Sequence, residues 1–174
     1  FKHRQDMWAD RIAGSAGVAS EACREFWHSL RDTEFVKQHP NLPSFAWSRI
    51  VPFGVHGDGG QYSKQDSLYS ISWNSLVVNG VADKTRFLCS CIRRQDCSAD
   101  TMDEPLRIFG WSCNVLLSGE TPRVDWHGRP LAGGGQALAE GWRACLAQAR
   151  GDWQWYCHFF YFPQWNCNER MCPF

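Results

Sequence analysis

The stretch Val55-His56-Gly57-Asp58-Gly59-Gly60 sets one carboxylate between glycines at the end of an apolar run. Carboxylate oxygen is a hard ligand suited to Mg²⁺ or Mn²⁺. Cutting or transferring a phosphodiester uses two such ions about 3.5–4 Å apart, with carboxylates between them. Asp58 is therefore a candidate metal ligand, although the same residues also read as a turn with Asp bonded to its own backbone. Gly57 and Gly59 lack a Cβ and so could let a nucleic-acid backbone approach. His56 shares the strand face of Asp58 and could contact phosphate or orient water; the plainer reading is a histidine that packs or bonds to backbone. Asp152, in "GDW", is a second carboxylate candidate, with helix N-cap as its alternative. Asp125, in "VDWHGRP", is a weaker third and reads as a solvated loop residue. Cys167 and Cys172, in "CNERMCPF", have a spacing that structural zinc sites use, with His158 as a further candidate ligand.

These side chains can act together only if the chain brings them to one place. Its 174 residues, 44% apolar, suit one compact domain with a small annex. Ten Trp and eleven Phe imply an interior built around rings. The aromatic run "WQWYCHFFYFPQW" reads as core, because the Lys and Arg that accompany base-stacking surfaces are missing from it. Eighteen basic and eighteen acidic residues cancel. Nucleic acid would thus be held by a local patch or by further chain, not by a net field. No run of about 18 apolar residues occurs, which argues against a membrane span. Nine cysteines, several inside apolar patterns, favour reduced thiols in an intracellular protein over a secreted disulfide framework. The first and last residues read as cuts through something longer.

The expected elements follow from periodicity. Residues 16–30 place Val18, Ala22, Phe26 and Leu30 on one helical face, and "HPNLPSF" ends that helix. From residue 49, Val51, Phe53 and Val55 alternate as in a strand that ends at Gly57. Residues 67–78 and 85–92 read as further strands, with a turn at "NG" 79–80, giving an antiparallel meander. Thr101 and Glu104 fit a capping box opening a helix with Leu106, Phe109, Cys113 and Leu116 as its buried stripe and Gly119 as its end. Residues 136–150 fit a helix or a buried strand. Should they form a strand parallel to the first, Asp58 and Asp152 become neighbours across the sheet.

The blocks "HPNLPSFAWSRIVPFGVHGDGGQYSKQDSLYSISWNSLVVNG", "LRIFGWSCNVLLSGETPRVDWHGRP" and "ARGDWQWY…CNERMCPF" together resemble a group of transposon-derived proteins with the patterns P-[LF]-x-[LV]-H-G-D-G and S-W-x-S-L. The ordering also resembles Plavaka-type DNA transposases with an RNase H-like catalytic domain, over most of residues 39–174. What the resemblance implies is an α/β fold: an RNase H-like three-layer domain with a three-stranded antiparallel meander, a crossover helix and a parallel fourth strand. It divides the chain into an N-terminal helical extension (1–45), a truncated core (46–160) and the start of a cysteine-containing knuckle (161–174). By the same resemblance, Asp58 and Asp152 are the first two catalytic and metal-binding carboxylates, and a third acid lies beyond Phe174. Mg²⁺ or Mn²⁺ is the implied cofactor, with Zn²⁺ at a Cys-x-x-Cys knuckle that includes Cys167 and Cys172. The implied partner is DNA and the implied location nuclear. Two rival readings stand beside this one: a non-catalytic scaffold of the same fold, and an unrelated α+β domain whose Asp-Gly pair is only a turn.

Overall fold

The computed structural model describes residues 8–13, 16–61, 63–80, 82–98 and 100–162. After a single π-type turn at Trp8–Ala13 come α1 (Ala16–Ser29) and α2 (Glu34–Gln38). A 3₁₀ segment, Ser44–Arg49, leads into β1 (Ile50–Gln61) and β2 (Ser67–Ser75). The short α3 (Ala82–Thr85) connects β2 to β3 (Phe87–Arg93). Then follow α4 (Asp103–Ser118), a long loop, β4 (Arg143–Gly151) and α5 (Trp153–Phe159). The four strands form one mixed sheet in the order β3-β2-β1-β4. β1 is antiparallel to β2 and parallel to β4. An α/β arrangement with helices against such a sheet is compatible with a three-layer fold.

The segment whose pattern fitted either helix or strand is thus strand β4 over its second half. β4 lacks the β-branched residues that mark strands, and its place beside β1 is what decides its state. One extra residue, Ala147, bulges between the pairs Phe53↔Leu146 and Gly54↔Gln148.

Several expectations change in detail. β1 does not stop at Gly57: Asp58 pairs with Ser70, Gly59 with Tyr69 and Gln61 with Ser67. Asp58 therefore lies inside a strand, and beyond it, at residues 63–66, the Ser63 and Asp66 side chains accept backbone N–H groups. The turn reading of Asp58 is corrected accordingly. The link from β2 to β3 contains a helical turn where a tight "NG" hairpin was expected. Thr101 makes no capping box with Glu104; α4 opens after Met102 without a side-chain cap, while Thr101 Oγ1 accepts the Ser98 N–H at 2.7 Å. Gly119 does close α4, in the left-handed conformation at φ 71°.

Among the described residues the interior has three apolar clusters. Trp27, Val36, Leu42, Ile50, Leu117 and Cys145 form one, so the N-terminal helices share a core with the sheet. Val55, Tyr69, Ile71, Met102, Trp155 and Phe159 form the second, beneath α4 and α5. Ile12, Ala19, Cys23 and Val51 form the third, with Trp73 and Phe87 stacked at 4.7 Å against it. The buried stripe of α1 is Ala19, Cys23 and Trp27, one residue on from the expected Ala22 and Phe26, which are half-buried. Trp27 sets this rotation, since its Nε1–H donates to the Ile50 carbonyl at 2.8 Å. Likewise Leu117, and not the exposed Leu116, is the buried residue at the end of α4. No helix among the described residues is long and apolar enough to cross a membrane.

Candidate carboxylate site at the ends of two parallel strands

The parallel register pairs His56 with Arg150 and Gly57 with Gly151. The next residue on each chain is an aspartate. Asp58 and Asp152 thus stand at matching positions of adjacent strands, both exposed. Asp58 continues along β1, and Ser70 Oγ–H reaches its carbonyl at 3.4 Å. Asp152 leaves the sheet and caps α5: its Oδ1 accepts the Trp155 N–H at 2.6 Å. The N-cap reading of Asp152 is therefore correct, and it does not displace the carboxylate from the strand end.

His56 lies half-buried on β1, opposite Arg150 of β4. Burial lowers its pKa below the ordinary histidine value, and the Arg86 and Arg150 charges add to this; Asp58 and Asp152 pull the other way without winning. The imidazole is thus neutral at pH 7, able to donate through one nitrogen and accept through the other.

Two residues that sequence reasoning missed organise the strand ends. Arg150 extends from β4 across β1, and its Nη2 donates to Asn74 Oδ1 on β2. Gly54 makes the crossing feasible, because a Cβ there would sit 3.1 Å from Arg150 Nη2 and 3.1 Å from Leu76 Cδ2. The signal was present in "ARGDW", where Arg150 must fall beside His56 once the parallel register is known. Trp155 is the second. Its indole packs against Gly57 and Gly151, with 2% exposure, and stacks on Phe159 at 4.7 Å. A Cβ at Gly57 would land on the indole ring, and one at Gly151 would meet Trp155 Cε3 at 2.5 Å. Gly57 is accordingly buried, and its lack of side chain serves Trp155; the expected open path for a nucleic-acid backbone at that residue is not there. Gly59, by contrast, is exposed, with the Tyr69 ring 3.6 Å from where its Cβ would be.

The remaining candidates separate from this group. Asp125 is buried within its own hairpin loop, so the expectation of a solvated residue is corrected. Its Oδ1 accepts the N–H groups of His127 and Arg129, each at 2.9 Å, and its Oδ2 pairs with Arg129 Nε at 2.7 Å. Burial alone would raise its pKa, but these bonds outweigh that and hold it below the usual carboxylate range. Burial pushes the thiols of Cys23 and Cys145 up to about 12 and that of Cys113 up to about 11, so they stay protonated at neutral pH and are poor metal ligands. Cys167, Cys172 and the side chain of His158 lie outside the described residues. Among the described residues no group of three or more His, Cys, Asp and Glu is arranged to hold a metal ion. Two carboxylates and water can still serve Mg²⁺ or Mn²⁺, which keep several waters when bound.

Compared with family models, curated proteins and solved structures, the chain matches none.

Proposed function

We propose that this chain is part of a transposase-like nuclease or strand-transferase with an RNase H-like core, acting on DNA phosphodiesters through divalent metal held by Asp58 and Asp152. The observation that carries this reading is the parallel β1–β4 pairing with Gly57 opposite Gly151, which sets one aspartate beside the other at a common strand end. A mixed sheet ordered β3-β2-β1-β4, with Asp58 on interior strand β1 and Asp152 just past the end of edge strand β4, supports the same reading. Asp58 supplies an exposed carboxylate, and Asp152 supplies the oxygen not engaged by the helix cap. Bound metal would polarise the scissile phosphate and the attacking oxygen. Neutral His56 is placed to take or give a hydrogen bond beside them. A third acid and a zinc knuckle including Cys167 and Cys172 belong to this proposal, as does a nuclear location.

Titration of the chain with Mn²⁺ tests it. Asp58→Asn and Asp152→Asn should each weaken binding by at least about tenfold, the scale on which even the outer partners of metal ligands act. Equal affinity in wild type and both variants removes the metal site.

A second reading, a non-catalytic scaffold of the same fold, has one observation in its favour: Asp152 already has a structural task as the cap of α5. Here Asp152→Asn, which can still cap, should leave Mn²⁺ titration and stability unchanged, whereas Asp152→Ala should cost about 1 kcal/mol.

A further inference from the structure

Strand pairing sorts this end of the sheet into an oily face and a wet one. Asp58 pairs with Ser70, His56 with Ser72 and Arg150, and Gly54 with Asn74. Paired residues, and alternate residues along one strand, point to the same face of a sheet, so these residues share one. The alternate set, Val55, Tyr69 and Ile71, packs with Trp155 and Phe159 of α5. No member of the first set belongs to an apolar cluster, and all but Gly54 are at least partly exposed.

Arg150 lies across this wet face. Its guanidinium covers Gly54, where a Cβ would meet Nη2 at 3.1 Å, and Nη2 donates to Asn74 Oδ1 on β2. That partner is neutral, so the cation keeps its whole charge. Its Nε is buried with no hydrogen-bond partner, an unmet need that a bound group explains. A second cation comes from the opposite side: exposed Arg86 precedes Phe87, the residue that pairs with Trp73, and so borders Asn74. Among the described residues neither arginine is ion-paired. His56 feels all four nearby charges, Arg86 more strongly than Asp58 and Arg150 more strongly than Asp152. The local field is therefore positive even with both carboxylates bare.

We infer that this face is a phosphate seat one step back from the carboxylates, with Arg150 as its anchor and Arg86 and the Ser72 hydroxyl beside it. The inference rests on the functional reading above and deepens it: metal at Asp58 and Asp152 would take the scissile phosphate, and the seat takes the next phosphate of the same DNA strand. His56 and Asp58 are two strand residues apart, about 7 Å, a span that successive phosphates of one strand bridge. A guanidinium fork matches phosphate oxygens in charge and geometry. Ser72 Oγ–H reaches the His56 carbonyl only at 3.4 Å, long for a hydroxyl donor, so it is free to turn toward a ligand.

The test is a ¹H–¹⁵N titration of the 174-residue chain with 5′-phosphorylated dithymidylate in EDTA. Saturable shifts should centre on Gly54, His56, Ser72, Asn74 and Arg150. Arg150→Gln should weaken the fitted affinity at least about tenfold, the scale of a hydrogen bond to a charged group. Asp58→Asn and Asp152→Asn remove opposing charge and should strengthen it. Arg24→Gln, on α1, should leave it unchanged. If Arg150→Gln perturbs folding by circular dichroism, Arg86→Gln changes an exposed cation and should also weaken binding.

No saturable shifts, shifts centred elsewhere, wild-type affinity in both Arg150→Gln and Arg86→Gln, or weaker binding by the Asp→Asn variants overturns the inference. Equal affinity for triglutamate would make the face a general anion patch, and equal affinity for inorganic phosphate a seat for the free ion; either result overturns its assignment to a DNA strand. Since EDTA removes the metal, failure of the Mn²⁺ titration with dinucleotide binding intact strikes the catalytic reading alone. Normal Mn²⁺ binding without dinucleotide binding strikes the seat alone.

Discussion

His56 is the residue whose chemistry is most tightly set by its neighbours, which are Arg86 and Arg150 on one side of the balance and Asp58 and Asp152 on the other. Because its folded pKa is depressed, protons bind the unfolded chain first. The stability it contributes is complete above the ordinary histidine value of about 6.5 and is lost as pH falls through the lowered one. Thermal melts from pH 7 to pH 5 should therefore show a declining midpoint, and His56→Asn should flatten that decline; an unchanged slope refutes the assignment. Asp58 was legible as a candidate because a lone acid among glycines stands out in any sequence. Arg150 and Asn74 were not, since their bond spans three strands and no local spacing announces it. Gly57 misled for a physical reason: a missing side chain has the same signature whether the space is kept for a ligand or for Trp155.

At the scale of elements, the indole of Trp155 acts as a peg from α5 into the seam between β1 and β4, and both strands supply a glycine to receive it. Gly57→Ala should destabilise the protein by roughly 1–3 kcal/mol through overpacking, and Trp155→Ala by roughly 3–5 kcal/mol through loss of a large buried ring. The two are in contact, so the double variant should cost less than their sum by about 1 kcal/mol or more in chemical denaturation. Additive costs would mean the alanine methyl is accommodated elsewhere. Strands with clear alternation, such as Tyr69, Ile71 and Trp73, were readable from pattern alone. The far half of β1 was not: "GDGG" has no alternation and poor strand propensity, and it is extended only because β2 pairs with it. The helix stripes were readable to within one residue, the margin by which one hydrogen bond from Trp27 turns α1 about its axis.

For the whole molecule, the meander followed expected rules, since consecutive strands tend to pair. The decisive feature was a strand pairing distant in sequence, β4 beside β1. A chain of zero formal charge gives long-range electrostatic steering little to work with. The same topology governs how the protein is made. β1 sits inside the sheet, with β2 on one side and β4 on the other. A ribosome delivers β1 and β2 long before Arg143–Gly151, and through that interval one flank of β1 is a bare ladder of N–H and C=O groups. A chain ended at residue 142 should therefore aggregate on expression, as sedimentation of lysate would reveal, while the 174-residue chain stays in the supernatant. Vectorial synthesis thus leaves the protein's most exposed moment in the interval before β4 docks, when that flank of β1 is still an adhesive edge.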